Sequence, residues 1–308
     1  MEYKLQSKSK KVVIITGVTS FLGRSVAGFL LSKGFIVFGI VRPYSNKIDI
    51  IKNINGLNII KLDFESLSSN DFKNLEMKSN DNKEILDVIK NIQELNCDIS
   101  FIHFAWGSTL DRTNFAKQML NIDMSLKVLE FAKILGCNRF IFAGSQAEMS
   151  ESAYGMAKKQ FASAGNIFLK KTNMKFIHFR IFSIYGKEDR ETSLLKQLVK
   201  SFKENKDIEL SSCYYKWNYL YIDDFTSIVY TFINKNVDTG TYDIASDDTR
   251  LLKDYVVEAH DVFKAKNELL FGKRPDSLEK FAIPNIKNTL KAVGHIKFTK
   301  FSDGIIKL

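Results

Sequence analysis

Cysteine is scarce in this chain of 308 residues. Cys97, Cys137 and Cys213 are odd in number and widely spaced, which excludes a disulfide framework and any metal-binding spacing. They read as the reduced thiols of a cytoplasmic protein. No apolar run approaches the length needed to span a bilayer, and no apolar signal segment follows the lysine-rich start. Internal repeats are absent. Acidic residues are in deficit, since 45 Lys and Arg against 35 Asp and Glu give a formal charge of +10. That balance suits an anionic ligand. It would also suit nucleic acid, but there is no nucleic-acid motif and no interleaved basic–aromatic patch. Neither nucleic acid nor a membrane is therefore expected as a partner, and many lysines are read as solvated surface.

What is present is an α/β pattern. Apolar residues make up 45% of the chain, enough for one large α/β domain with a smaller appended lobe. The β-branched run Lys11-Val-Val-Ile-Ile-Thr16 leads into a turn bearing Gly17 and Gly23. An amphipathic helix follows and ends at Gly34, and a second strand runs from Phe35 to Val41. Strand, turn, helix and strand in that order read as the opening βαβ unit of a dinucleotide fold. Gly17 permits the tight turn, Gly23 lets the helix approach the strand, and the amides at the helix start face a pyrophosphate. Further strands are expected at 57–62, 99–104, 139–144 and 175–181, with helices at about 113–136 and 152–171. Residues 1–10 read as a basic arm and 66–84 as a polar excursion. After Gly186 the pattern loosens. Helices near 191–204 and 252–265, with the segment 284–308, are expected to form a small lobe, and Asp223-Asp224-Phe225 begins a helix returning to the main domain.

Tyr154 and Lys158 carry the chemistry. They are four residues apart in a helical stretch, so both side chains lie on one face. An ammonium beside a phenol favours the phenolate and lowers its pKa, which makes the tyrosine a usable proton donor near neutral pH. Ser145, just upstream, can hold a substrate oxygen.

The chain resembles the extended short-chain dehydrogenase/reductase family, in the branch that acts on nucleotide-linked sugars. Thr16-Gly17-Val-Thr-Ser20-Phe21-Leu22-Gly23 is similar to the family's Thr-Gly-x-x-Gly-Phe-Ile-Gly, with Ser20 in place of the middle glycine. His103-Phe-Ala105-Trp106, the stretch from Asn121 to Glu130, and Phe140-Ile-Phe-Ala-Gly-Ser145 match further family segments in order. So do Arg180-Ile-Phe182-Ser183-Ile-Tyr-Gly186, with Ser183 for the usual asparagine, and Trp217-Asn-Tyr-Leu-Tyr-Ile-Asp-Asp224, with Trp217 for the usual arginine. The resemblance implies a Rossmann-type doubly wound parallel sheet over 11–185, rejoined by 217–245. A smaller C-terminal substrate lobe is made of 186–216 and 246–308. It also implies a homodimer through a four-helix bundle. Cofactor contacts are expected from Gly17, Ser20, Phe21, Leu22, Gly23, Arg42, Asp63, Phe64, Ala105, Trp106, Asn121, Tyr154, Lys158 and Phe182. Substrate contacts are expected from Ser145, Gln146, Ser183 and Trp217.

The second strand argues for the cofactor. NAD-preferring relatives place an acid at its end, whereas here Val41 is followed by Arg42, which can bind a 2′-phosphate. NADP(H) is therefore preferred, with NAD(H) open if Arg42 merely stacks on adenine. Asp63 either covers the adenine or caps its own turn. Dehydratases of this fold carry Asp-Glu directly after the catalytic hydroxyl; Gln146 and Ala147 cannot do that work, and Glu148 is read as structural. No cysteine lies near Ser145, and His178 falls on a buried strand, so a Cys–His epimerising pair is not expected. What remains is hydride transfer alone. The favoured reading is NADP(H)-dependent reduction of a 4-keto group on a nucleotide-linked deoxysugar in surface-polysaccharide synthesis, with Ser145, Tyr154 and Lys158 as the catalytic set. A 4-epimerase or dehydrogenase with tightly held NAD, and a non-catalytic NADP-binding protein, are the alternatives. Only eight residues separate Ser145 from Tyr154, fewer than the family usually has, which suggests an open sugar pocket. Trp217 either stacks on the base or packs the lobe. If it stacks, Lys187, Arg190 and Lys216 are the candidate cations for the diphosphate.

Overall fold

The computed structural model describes residues 11–68, 71–72, 83–95, 97–276 and 282–308. The expected basic arm and most of the polar excursion lie outside them. The first half of the chain alternates: β1 (Lys11–Thr16), α1 (Phe21–Ser32), β2 (Ile36–Val41), β3 (Leu57–Lys61), α2 (Lys83–Glu94), β4 (Asp98–His103), α3 (Phe115–Ile134), β5 (Arg139–Ala143), α4 (Ala153–Leu169) and β6 (Lys175–Ile181). Then come β7 (Ser183–Tyr185), α5 (Leu194–Glu204), β8 (Ile208–Glu209), β9 (Lys216–Tyr221), α6 (Ile222–Asn234) and β10 (Gly240–Ile244). The chain ends with β11 (Thr249–Leu251), α7 (Leu252–Val262), β12 (Leu269–Leu270), α8 (Lys287–Val293) and α9 (Phe301–Ile305). The β-branched runs expected as strands are found within a residue or two of where hydropathy put them.

The main sheet runs β10-β6-β5-β4-β1-β2-β3. β1 pairs in parallel with both β2 and β4, and the outer pairs β2–β3 and β4–β5 are parallel too. Strand order thus reverses between β1 and β4. In doubly wound sheets ligands bind beyond the carboxyl ends of the strands at that point. The Gly17 turn leaves the end of β1, and Phe104 to Gly107 leave the end of β4.

The chain divides into two compact units, one of residues up to Ser108 with Met119–Phe142 and Phe161–Ile177, the other of Thr109–Gln118, Ala143–Gln160 and His178–Leu308. The first is held by an aromatic core. Phe101 and Phe140 face each other in register and stack at 5.4 Å, and Phe140 stacks on Phe176 at 6.0 Å. Phe161 of α4 meets Phe142 edge-on at 4.6 Å. Each such ring pair adds about 0.5–1.5 kcal/mol beyond the area it buries. Gly165 of α4 has no side chain because the Phe176 ring lies where one would go.

The second unit is built round a small sheet, β11-β9-β7, with β7 parallel and β11 antiparallel to β9. Tyr185, Tyr219, Tyr255 and Phe301 pack edge-to-face or offset in its core, with centroids 4.8–5.8 Å apart. Asp224, in the first turn of α6, accepts hydrogen bonds from Thr299 N (2.8 Å) and Oγ1 (3.0 Å) and so anchors the segment leading into α9. Among the described residues no helix is long and apolar enough to cross a membrane.

Candidate active site

The first unit carries a turn shaped by missing side chains. Gly17 has φ +69°, and a Cβ there would press on the Phe104–Ala105 backbone. A Cβ on Gly23 would collide with the Gly17 carbonyl, so only glycine lets α1 start this close to the strand end. Ser20, at the family's middle-glycine position, is the helix N-cap: its Oγ accepts from Gly23 N at 3.1 Å, and its N donates to Gly17 O at 2.9 Å. The substitution is therefore a local exchange of a glycine for a cap. With the Gly23 amide satisfied by Ser20, the other first-turn amides, those of Phe21 and Leu22, have no acceptor within the helix. After β4, Asn121 clamps the loop: its Oδ1 accepts from Gly107 N (2.6 Å) and its Nδ2 donates to Gly107 O (3.2 Å). Asn121 thereby fixes the run Ala105–Trp106 through its backbone. His103 is fully buried between Thr16 Oγ1 (2.7 Å) and Ser125 Oγ (2.9 Å).

Beyond β2, Arg42 is exposed and lies over the Tyr44 ring, 5.5 Å from its centroid. Tyr44 donates to Asp63 Oδ2 at 2.8 Å, while Asp63 Oδ1 accepts from Glu65 N at 3.1 Å. Asp63 thus caps its own turn and also ties down the tyrosine beneath Arg42. Phe64 is turned into the core against Phe131 at 5.5 Å, so what it offers a ligand is backbone rather than ring.

The second unit carries Ser145, Tyr154 and Lys158. Ser145 caps a single 3₁₀ turn, Gln146–Met149, and α4 begins three residues later with Ser152 Oγ accepting from Gly155 N at 3.1 Å. A Cβ on Gly155 would run into the Ala147 carbonyl, so the glycine lets helix and turn press together. This packing is how eight residues suffice between Ser145 and Tyr154. Tyr154 N donates to Arg112 O at 3.0 Å, and the Arg112 guanidinium lies over the Tyr154 ring at 5.0 Å. Lys158 is buried and its Nζ donates to Ala143 O at 2.6 Å. Gln146 Nε2 reaches Ser183 Oγ at 3.3 Å, which brings those two expected substrate contacts together. Phe182 is buried beside them in sequence, its N bonded to Ile244 O. Trp217 is half-buried, packed edge-on against Tyr215 (5.9 Å) and Tyr219 (6.2 Å) and paired across the strands with Arg250. Arg250 is itself committed to Asp248 (3.2 Å) and Glu258.

The electrostatics differ from the sequence-based expectation. Burial raises the Tyr154 pKa, and the leading influence in the other direction is Arg112, followed by a hydrogen bond with Ser145. Lys158 does not lead because it is itself desolvated: burial lowers its pKa to about 7, with Glu148 opposing the fall. A half-charged lysine cannot stabilise a phenolate as a full ammonium would. Arg112 is the residue that sequence reasoning missed, and Glu148, read there as structural, proves to be bonded to Ser145 N and His178. Arg112 stands in a loop far from Tyr154 in sequence, without a motif of its own. Glu148 is visible in hindsight as the fourth residue of a Ser-x-x-Glu capping box.

The family model for the NAD dependent epimerase/dehydratase family matches residues 13–245. The chain belongs to this family. It is thus an NAD(P)-dependent enzyme of the extended short-chain dehydrogenase/reductase type. CDP-abequose synthase of Salmonella muenchen is 24% identical over 242 residues, 76% of this chain and 74% of that protein. The Salmonella typhimurium enzyme of the same name is 23% identical over 318 aligned positions, covering 97% of each chain. Among solved structures, the UDP-glucose 4-epimerase of Thermotoga maritima superposes with a TM-score of 0.77 at 15% identity, covering 96% of both chains. The Bordetella bronchiseptica enzyme WbmG, solved with NAD and UDP, gives 0.75 at 16% identity, covering 96% of this chain and 92% of that one. At such identity the superpositions establish the shared fold. Within this epimerase/dehydratase fold the chain's own departures are Ser20 for glycine, Ser183 for asparagine and Trp217 for arginine.

Proposed function

We propose that this protein reduces the 4-keto group of a CDP-linked deoxysugar with NADP(H), in the synthesis of a surface polysaccharide. One observation carries the choice of reduction. The Glu148 carboxylate is turned inward to Ser145 N and His178, Ala147 is buried, and Gln146 is bonded to Ser183, so no acid is presented beside Ser145 for dehydration. Tyr154 is left as the proton donor. The CDP-abequose synthases among the relatives support the choice of CDP and of a deoxysugar.

The residues fit a dinucleotide. The glycines let the turn, α1 and the segment after β4 close up at the end of β1, which supports a pyrophosphate at the first-turn amides, and Arg42 supplies an exposed cation for a 2′-phosphate. When bound, the reduced nicotinamide supplies hydride. Ser145 holds the sugar carbonyl oxygen. Tyr154 stays protonated through neutral pH because it is buried, and gives that proton to the oxygen as negative charge develops there. Arg112 then stabilises the phenolate. Lys158, held by the Ala143 carbonyl, is placed to hold the nicotinamide ribose. The dinucleotide part is assigned to 11–185 with 217–245 and the substrate lobe to 186–216 with 246–308. Leu120 of α3 and Ile167 of α4 are large apolar residues left exposed, which supports a homodimer through those helices.

The test is a spectrophotometric assay of purified protein with a CDP-linked 4-keto-deoxysugar, offered NADPH and NADH separately, with the product sugar identified by NMR. NADPH oxidation matched to 4-hydroxyl formation is the expected result. No oxidation of either cofactor, with NAD released from the protein on denaturation, would overturn it in favour of an epimerase.

A further inference from the structure

We propose that the buried pair Glu148–His178 is a positioning device for the catalytic set: it fixes the backbone that presents Ser145 and, through Gly144 beside it, the Ala143 carbonyl that holds Lys158. Glu148 touches neither sugar nor cofactor in this role. The consequence for turnover rests on the proposed reduction, but the effect on Lys158 does not.

The geometry exceeds what a turn cap needs. Glu148 closes a capping box, its Oε1 accepting from Ser145 N at 2.8 Å while Ser145 Oγ accepts from Ala147 N at 3.2 Å. The same Oε1 accepts from His178 Nε2 at 3.0 Å, and His178 Nδ1 lies 3.1 Å from Thr241 Oγ1. The two side chains are 4% and 7% exposed. An ordinary N-cap sits at the surface, where water makes up missing bonds. Burying a carboxylate is costly unless it is bonded and paired, so this arrangement persists only with its partners in place. Gly144 is part of it: a Cβ there would strike both His178 Nε2 and Glu148 Oε1. The Ser145 turn and His178 of β6 thereby meet at one buried oxygen directly behind the Ser145 backbone, and the His178 ring carries the tie on to Thr241 of β10.

The charge acts on the reacting groups. The charged groups that act on Tyr154 and Lys158 are Glu148 on both, and Arg112 and Arg190 on Tyr154, with Arg112 lying over its ring; on β6, Arg180 is taken up by Asp243 at 2.6 Å. Glu148 opposes the fall in the Lys158 pKa and adds to the rise in that of Tyr154. Both effects have one sign: the negative carboxylate keeps both groups protonated to higher pH. Tyr154 gives its proton up during reduction, so Glu148 extends activity on the alkaline side.

Two isolated changes separate the roles. Glu148→Gln keeps the shape and the acceptor for Ser145 N but removes the charge. Glu148→Asp keeps the charge but withdraws the oxygen from Ser145. The direct readout is the Lys158 Nζ resonance in cofactor-free protein labelled with nitrogen-15 lysine, assigned by its loss in Lys158→Met. In the unaltered protein it should titrate near pH 7; in Glu148→Gln it should titrate at lower pH, and in Glu148→Asp nearly unchanged. With the CDP-linked 4-keto sugar and NADPH, the alkaline limb of kcat should move to lower pH in Glu148→Gln. Glu148→Asp should lose about tenfold or more in kcat with its pH profile kept. An unmoved Lys158 titration in Glu148→Gln overturns the electrostatic role, and normal kcat in Glu148→Asp overturns the positioning role. Should one variant not fold, the other still decides its own half. Absence of sugar reduction by the unaltered protein would count against the reductase reading and leave the Lys158 result standing.

Discussion

The Gly17–Gly23 turn and the Ser145–Lys158 segment solve opposite problems. The turn works by absence. Two missing Cβ atoms and one serine cap leave free amides at the start of α1, and no buried charge is needed. The catalytic segment works by burial. A lysine is taken out of water and held by a carbonyl, a glutamate by a histidine and a backbone amide, and a tyrosine by Arg112. The first arrangement is tolerant of pH and intolerant of volume. The second should be the reverse, sensitive to every charge and every transferable proton it holds. The first is fixed by sterics, the second by the charges and protons of a small set of side chains.

The largest expected effect tests the catalytic segment. Tyr154→Phe removes one oxygen from a buried ring. Turnover should fall roughly 10²–10⁴-fold, with NADPH affinity and melting temperature held. A variant that turns over at the normal rate would mean the segment does not supply the proton. Next comes the turn. Gly23→Ala adds one methyl against the Gly17 carbonyl, so dinucleotide affinity measured by calorimetry should drop by roughly fivefold to a hundredfold, as an overpacking cost of about 1–3 kcal/mol implies. That drop should be the same at pH 6 and pH 9. If it varied with pH, the turn would share the electrostatics of the other site.

Sequence made the two regions legible to different depths. Glycine spacing after a β-branched run predicts the turn, because the constraint lies within seven neighbouring residues and is steric. Ser145, Tyr154 and Lys158 were recognisable as a local pattern too, and the structure gathers them in one unit. Their environment was not recognisable. Glu148 meets His178 thirty residues away, and Arg112 reaches Tyr154 from another loop. No local spacing encodes either contact. Desolvation of Lys158 is likewise a property of the packed chain, so a rule drawn from an exposed Lys–Tyr pair gave the wrong leading cation. Phe64 belongs to the same class, since its place after β3 suggested a ligand contact and the core claimed its ring.

Arg42→Ala sharpens the comparison at the exposed edge of the turn. The guanidinium rests on Tyr44 with its face open to solvent, so a 2′-phosphate contact should be worth about 1.5–3 kcal/mol. NADPH affinity should fall roughly tenfold to a hundredfold while NADH affinity changes little. Equal losses for both would assign Arg42 to adenine stacking and remove the argument for NADP(H).

The smallest expected effect is on stability and belongs to Lys158 alone. Its pKa is 10.5 in an unfolded chain and about 7 here, because burial penalises the ammonium. Between those two values the unfolded chain binds a proton that the folded protein does not. Stability from this group is therefore fully present above pH 10.5, declines as pH falls, and is lost by pH 7 and below. Lys158→Met keeps the length and discards the charge, at the cost of the bond to the Ala143 carbonyl, itself about 1 kcal/mol. The net expectation at pH 6 is a cofactor-free variant more stable than the parent, with a higher melting temperature. The advantage should shrink as pH rises from 7 and reverse near pH 10, where only the lost hydrogen bond remains. Melting curves of both proteins from pH 6 to 10 give the sign directly. A variant that is less stable at pH 6, or a gap that does not change with pH, would mean that Lys158 carries no buried-charge penalty and that the catalytic segment is no more sensitive to pH than the glycine turn.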